Sequence, residues 1–268
     1  MKFDVATLTS LWLITFLCCA LITSALSYMF SKTIAFRFWA IAFYLLATST
    51  ACFAWHFTWH HDLLLVATAT LALQSRLLIW GGTRELFGAN GRWRAGLGVT
   101  ALFCVLYGSA VRFDAPVVLR ATLLVTFFLP CRAGTLYEVC RRCRAHLGGA
   151  RLIAVIGSVI ATLNAIMPLI LVLLDRTNLS LLLGNPQSTS AVYAVVFAGD
   201  LLLAIGLILL AFKRLSVEQD MLATIDRGAS ELLARAREER ARSGSRLPRG
   251  WVMGHDVAGP SQPLPWTA

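Results

Sequence analysis

Charged residues are scarce in this chain of 268 amino acids. Asp, Glu, Lys and Arg together make up 14% of it, against roughly 25% in an ordinary soluble domain. Hydrophobic residues make up 57%, which is more than one core of this size can bury, so we expect most of them to face lipid. The composition argues against a soluble enzyme, a coiled coil, a secreted disulfide scaffold and a nucleic-acid binder, and we expect no nucleic-acid partner.

Long apolar stretches dominate the chain instead. A bilayer core about 30 Å thick needs ~20 helical residues, and a backbone that crosses it must satisfy its own hydrogen bonds. We therefore predict an all-α integral membrane protein, a bundle of about seven transmembrane helices surrounded by membrane lipids. The predicted spans cover residues 7–30, 36–57, 63–80, 95–112, 116–131, 152–174 and 191–212.

The spans divide the chain into three segments. Residues 1–212 form the predicted membrane domain, residues 213–242 a cytoplasmic signalling helix, and residues 243–268 a tail rich in Gly and Pro that we expect to be disordered. Within the helix, Leu215, Leu222 and Ile225 fall near the seam positions of a heptad pattern. We interpret these three as signal-relay residues, and we predict a homodimer through this helix.

The basic residues are concentrated in alternate loops. Lys and Arg are retained on the cytoplasmic side, so this pattern requires an odd number of spans, with the amino terminus outside and the carboxyl terminus in the cytoplasm. The basic residues that follow the first, third and fifth predicted spans are Lys32, Arg37, Arg84, Arg92, Arg94, Arg132, Arg141, Arg142, Arg144 and Arg151.

Three ionisable residues fall inside predicted spans, where charge is costly and often functional. Arg76 is expected to reach the cytoplasmic end of span three. Arg120 and Asp200 lie in the outer halves of spans five and seven, and we hypothesise that they pair or line a polar ligand pocket. Asn164 is assigned to this pocket because Pro168 interrupts span six one turn later and frees backbone carbonyls. Separate snorkelling, or a purely structural pair, is the alternative.

A histidine cluster lies at the outer end of span two. His56 and His60 are four residues apart, on one helical face, and His61 follows directly. This spacing lets two imidazoles hold one metal ion. The cluster is therefore a candidate site for copper, zinc or haem and a candidate sensor of acid. The alternative is an interfacial turn in which His and Trp tolerate the polar boundary.

Cysteines recur after span five. Cys140 and Cys143 have zinc-site spacing, with Cys131 and His146 as further candidate ligands. A zinc site, a redox pair and a basic amphipathic helix are the three interpretations. In the last of these, Arg132 and its basic neighbours lie against anionic headgroups. The sequence identifies no cofactor.

Several motifs resemble those of bacterial diguanylate cyclases. The stretch from Leu222 to Asp226 resembles the start of the GGDEF domain of that family, and Val252–Asp256 resembles its first strand with the metal-binding Asp. The membrane part resembles the seven-helix input region found ahead of such domains. That second resemblance rests on Phe38-Trp39-Ala40 and on Gly82, Arg84, Phe87 and Gly88.

The chain departs from that family where catalysis would occur. The Gly-Gly-Asp/Glu-Glu-Phe turn is absent after residue 226, and the residues after span seven are fewer than the roughly 100 that a catalytic α/β domain needs. We therefore expect a sensory input protein of cyclic-di-GMP-type signalling, without catalytic output, that responds to a small or lipid-borne ligand. Two alternatives are a small transporter or channel, and an active diguanylate cyclase truncated by a sequencing or gene-model error.

Overall fold

The computed structural model describes residues 5–30, 33–59, 61–91, 93–142, 148–174 and 186–244. These residues form seven α-helices, with no strand among them. All seven helices are long and apolar enough to cross a membrane, which confirms the all-helical prediction and indicates a multi-pass membrane protein. The helices are α1 (Val5–Met29), α2 (Ile34–Trp59), α3 (Asp62–Leu86), α4 (Trp93–Arg112), α5 (Val117–Arg142), α6 (Gly148–Leu174) and α7 (Pro186–Gly244).

Helix α3 extends past its predicted end at residue 80 and reaches Leu86. The extension passes through Gly81 and Gly82, which disfavour helix in isolation. Tertiary packing compensates, because a Cβ at Gly82 would lie only 2.6 Å from Nε1 of Trp39. The buried Trp39 ring occupies that space and donates a hydrogen bond to the Ile79 carbonyl over 3.3 Å. The missing side chain therefore brings α2 and α3 into close contact.

Helix α5 runs through Pro130 and ends at Arg142, past residue 131, where the predicted span ends. Proline removes one backbone donor from a helix. The residues beyond it nevertheless remain helical, because Cys131, Thr135 and Val139 are buried at four-residue steps along one face. Packing on that face outweighs the lost hydrogen bond.

Helices α6 and α7 are packed backbone to backbone along a seam of small residues. A Cβ at Gly206 would lie 2.5 Å from the Ala154 Cα, and one at Gly157 would clash with the backbone of Leu203. A Cβ at Gly199 would lie 2.6 Å from Cγ2 of Ile160. Residue numbers rise on α7 as they fall on α6, so the two helices are antiparallel.

Two apolar clusters form the interior. The larger joins α1, α2, α3, α5, α6 and α7 around Trp39 and Phe36, whose rings meet edge to face with centroids 5.8 Å apart. The smaller joins α3, α4 and α5 around Phe103, whose ring centroid is 5.2 Å from that of Phe127. Many large apolar side chains on the outer faces stay exposed, Leu21, Leu63 and Val105 among them. An apolar exterior of this kind suits contact with lipid.

The chain divides into two compact units, Met1–Leu215 and Ser216–Ala268. Leu215 is partly buried against the larger apolar cluster of the first unit. In the second unit the helical residues from 216 to 240 have exposed side chains wherever these are described. The tail that was predicted to be disordered lies outside the described residues from position 245 onward.

Candidate functional site: a buried charge cluster

Three ionisable side chains meet inside the bundle and form what we call the charge cluster. Arg76 of α3 and Arg132 of α5 are each 7% exposed, and Asp200 of α7 is 3% exposed. Nη2 of Arg76 donates a hydrogen bond to Oδ2 of Asp200. Nη1 of Arg132 lies 3.2 Å from Oδ1 of Asp200 and donates over 2.6 Å to the carbonyl of Ala161 on α6. The cluster therefore ties four helices together.

The cluster is far from the helix ends. At 1.5 Å per residue, Arg76 is about 21 Å from the start of α3 and about 15 Å from its end. Arg132 is about 22 Å from the start of α5 and about 15 Å from its end. The expectations that Arg76 reaches the end of its span and that Arg132 lies against headgroups were therefore wrong. The physical reason is that both side chains face the interior of the bundle, where they pair with Asp200 of α7.

The predicted pairing of Arg120 with Asp200 was also wrong. Nη2 of Arg120 donates over 3.2 Å to Oδ1 of Asp114, whose side chain is 97% exposed. Asp114 lies in the short connection between α4 and α5, at a φ of 48°, only six residues before Arg120. The nearby loop carboxylate pairs with Arg120, and two other arginines flank Asp200.

Asn164 is buried on α6 and makes an interhelical contact. Its Nδ2 donates over 3.4 Å to the carbonyl of Val195 on α7. A Cβ at Gly199 would lie 3.0 Å from the same Nδ2, so Asn164 packs beside the residue that precedes Asp200. Pro168 lies inside α6, which continues to Leu174. Participation of Asn164, Arg120 or Asp200 in ligand binding stays a prediction.

The histidine and cysteine candidates are only partly described. Nδ1 of His56 lies 3.0 Å from the backbone carbonyl of His61, and His60 lies outside the described residues. Cys131 is buried and Cys140 is exposed, whereas Cys143 and His146 are not described. No three His, Cys, Asp or Glu side chains come together as metal ligands within the described part of the chain. The predicted metal site at the histidines stays a prediction.

A second ion pair lies between α3 and α5. Nε of Arg84 is 3.7 Å from Oε1 of Glu138, which is buried. Arg76, Trp80 and Arg84 follow one another at four-residue steps and share one face of α3. Between the two charged levels, the Trp80 ring packs on Gly134, where a Cβ would lie 2.6 Å from Cε2 of the indole. The guanidinium of Arg84 lies 5.8 Å from the Trp80 ring centroid, within range of a cation–π contact.

Four buried N–H groups along this interface have no hydrogen-bond acceptor among the described residues. They are Nε of Arg76, Nε of Arg84, Nε of Arg132 and Nε1 of Trp80. Oδ1 of Asp200 also makes no hydrogen bond; it lies 3.2 Å from Nη1 of Arg132 in an ion pair. The interface between α3 and α5 is thus rich in donors, and buried donors without acceptors are costly.

A cavity of about 210 Å³ borders the same face of α3. Phe38 of α2 and Trp93 of α4 line it together with Gln74, Trp80 and Arg84 of α3. Thr100 of α4 donates to Oε1 of Gln74 over 2.5 Å. The cavity combines aromatic surface with one guanidinium, a lining that suits an amphipathic molecule.

The sequence identified Asp200 and Arg76 as ionisable residues inside spans. It did not indicate that Arg132 and Glu138 lie inside the bundle and form ion pairs there. The signal that could have found them is the four-residue spacing of Cys131, Thr135 and Val139, which continues a buried helical face beyond Pro130. On such a face, a charged neighbour lies inside the bundle and needs a partner.

The described helices form an α-helical bundle with ionic groups in its interior, and seven of them are long and apolar enough to cross a membrane. No protein-family model, no curated protein and no solved structure matches the chain. The likeness to the input region of diguanylate cyclases therefore has no support from these comparisons and stays a prediction from the motifs.

Proposed function

We propose that this protein is a signal-input protein of the bacterial inner membrane, in which a change at the charge cluster is transmitted along α7. One observation carries the proposal: Asp200 and the exposed residues 216–240 belong to the same helix. A ligand or proton that alters the contacts of Asp200 with Arg76 and Arg132 acts directly on that helix. The cue is a small or lipid-borne molecule.

The packing of α7 against α6 supports a transmitting role. Gly199 and Gly206 place no side chain in the seam with α6. Few side chains of α7 therefore interdigitate with α6, and a small slide or rotation of α7 meets little steric resistance. Transitions of this kind involve shifts of about 1–2 Å between two packed arrangements. The charge cluster then selects between the arrangements, because breaking a buried pair costs about 3–5 kcal/mol.

The exposed part of α7 supports a second copy of this chain as the partner. Leu222, Ile225 and Leu232 are each about two thirds exposed, and with Ala229 they follow the a and d positions of a heptad pattern. Apolar side chains at these positions are buried when two such helices form a coiled coil. Leu215 packs against the bundle instead, so the proposed dimer seam begins at Leu222.

Disulfide cross-linking in membranes tests the relay. In a background without native cysteines, single cysteines at positions 219 to 233 report which residues face the partner copy. We expect strong cross-links at positions 222, 225, 229 and 232, and a changed profile when Asp200→Asn is added. Asp114→Asn is the matched control, because it removes only the exposed pair with Arg120. Identical profiles in the wild-type and Asp200→Asn backgrounds would refute the relay, and uniformly weak cross-links would refute the dimer.

A transporter is the second candidate, and the excess of arginine in the charge cluster favours it. Intramembrane charges mark ion and substrate paths in many transporters, and Pro168 gives α6 a position where its backbone bonding is interrupted. Anion flux into proteoliposomes that depends on Arg132 would favour this candidate over the sensor.

A further inference from the structure

The charge cluster carries one positive charge more than it can neutralise within the described residues. Arg76 and Arg132 contribute two guanidinium groups, and Asp200 contributes one carboxylate. The other buried carboxylate, Glu138, pairs with Arg84. No further described Asp or Glu forms an ion pair with either arginine of the cluster. An uncompensated charge at such burial costs several kcal/mol.

The geometry of the donors also indicates a missing acceptor. Arg76 uses Nη2 and Arg132 uses Nη1 on their known partners, while Nε of each stays buried without an acceptor in the described structure. Arginine has five N–H donors and no acceptor, so a neighbour that satisfies both Nε groups has to accept hydrogen bonds. A water molecule could accept them, but it would leave the excess charge in place.

The thiol next to the cluster does not supply the missing charge. Sγ of Cys131 donates a hydrogen bond to the Phe127 carbonyl over 3.2 Å, which requires the protonated, neutral form. Cys131 itself packs in an apolar cluster with Leu73 and Phe103, which are fully buried.

We propose that Arg76 and Arg132 together bind one small monovalent anion, a halide or a small carboxylate, beside Asp200. The anion balances the second guanidinium and accepts from the free Nε groups. Bound in this way, it completes the ionic contacts that hold α3, α5, α6 and α7 together. This site stands whether or not α7 relays a signal, because it concerns the folded state of the bundle alone.

Anion-dependent stability of the purified full-length protein tests the site. The protein is equilibrated in gluconate, a bulky anion, and chloride or formate is added in separate arms at constant ionic strength. We expect a saturable rise in Tm in at least one arm, on the order of 5 °C at a 100-fold excess over Kd. The arm that gives the tighter midpoint identifies the anion class. A Tm that does not change with either anion overturns the proposal.

Two substitutions with opposite expected effects separate specific binding from general screening. Arg132→Gln removes the excess charge and should abolish the anion-dependent rise in Tm. Asp200→Asn raises the excess to two charges and should lower the Kd for the anion about tenfold. Arg120→Gln, outside the cluster, should keep the wild-type dependence. If Arg120→Gln and Arg132→Gln respond alike, the anion acts elsewhere and the proposal fails.

A measurement on the wild-type protein keeps the proposal testable if the cluster variants do not fold. Chloride-35 NMR line broadening reports anions in exchange with a bound site. We expect excess broadening that formate or bromide relieves by competition. Broadening no greater than that of a membrane protein without buried arginines would refute the site.

Discussion

Gly82 lies where a side chain would collide with Trp39. Because the Cβ of any other residue would come within 2.6 Å of the indole, Gly82→Ala forces either the ring or α3 to move. We expect a loss of about 1–3 kcal/mol in the free energy of unfolding, measured by SDS titration in mixed micelles.

Gly81 is the matched control for that substitution. It occupies the neighbouring position of the same helix, and nothing lies within 4 Å of its would-be Cβ. Gly81→Ala should therefore leave stability unchanged or raise it by about 0.5–1 kcal/mol, since alanine favours helix. Equal losses in the two variants would show that helix propensity, rather than the Trp39 contact, governs this part of α3.

Asp200 is the residue on which the charge cluster depends most. Asp200→Ala leaves two guanidinium groups buried without their carboxylate, and we expect a loss of about 3–5 kcal/mol in the free energy of unfolding. The measurement is the same SDS titration, carried out in parallel on Asp114→Ala. The exposed pair of Asp114 with Arg120 should contribute little. A small effect of Asp200→Ala would mean that the cluster does not hold the helices together.

At the scale of elements, the seam between α6 and α7 gives the sharpest expectation. Gly206→Ala places a methyl group 2.5 Å from the Ala154 Cα, and backbone cannot yield as a side chain can. We expect a loss of about 1–3 kcal/mol and a wider α6–α7 spacing by pulsed electron spin resonance. Gly98→Ala on α4, where nothing lies within 4 Å, is the control and should leave both quantities unchanged.

The helices could be predicted from the sequence because lipid imposes a minimum length of apolar residues on each span. The ends of α3 and α5 could not, because Gly81, Gly82 and Pro130 are local signals against helix that tertiary contacts override. Those same ends decide whether Arg76 and Arg132 lie at a surface or in the interior. Arg76 and Arg132 therefore meet Asp200 in the interior, although the sequence placed them at the ends of spans three and five.

The two arginines that pair with Asp200 could not be predicted from the sequence, for a related reason. Pairing depends on how each helix is rotated about its own axis and on which helices are neighbours. The spacing of residues within a single span indicates only part of a helix's rotation. It says nothing about which helices are neighbours. Arg120 was the expected partner because it lies at a similar depth, whereas the structure brings Asp200 to residues on two other helices.

At the scale of the whole molecule, the distribution of Lys and Arg makes a firm expectation about orientation. If the amino terminus is outside, position 61 between α2 and α3 faces the outside and position 140 at the end of α5 faces the cytoplasm. Cys140 is exposed, so an impermeant maleimide should label it only after the membrane is opened. A single cysteine at His61→Cys should be labelled in intact cells. Labelling of both positions from the same side would overturn the orientation and the relay with it.

The order of the helices along the chain has a consequence for biogenesis. Arg76 and Arg132 belong to the third and fifth helices, whereas Asp200 belongs to the seventh and last. Because synthesis proceeds from the amino terminus, both arginines are made before the aspartate that pairs with them. The ion pairs of the charge cluster can therefore form only once α7 has been made, and we expect chains that stop before residue 200 to lack the contacts that join α3 and α5 to α7.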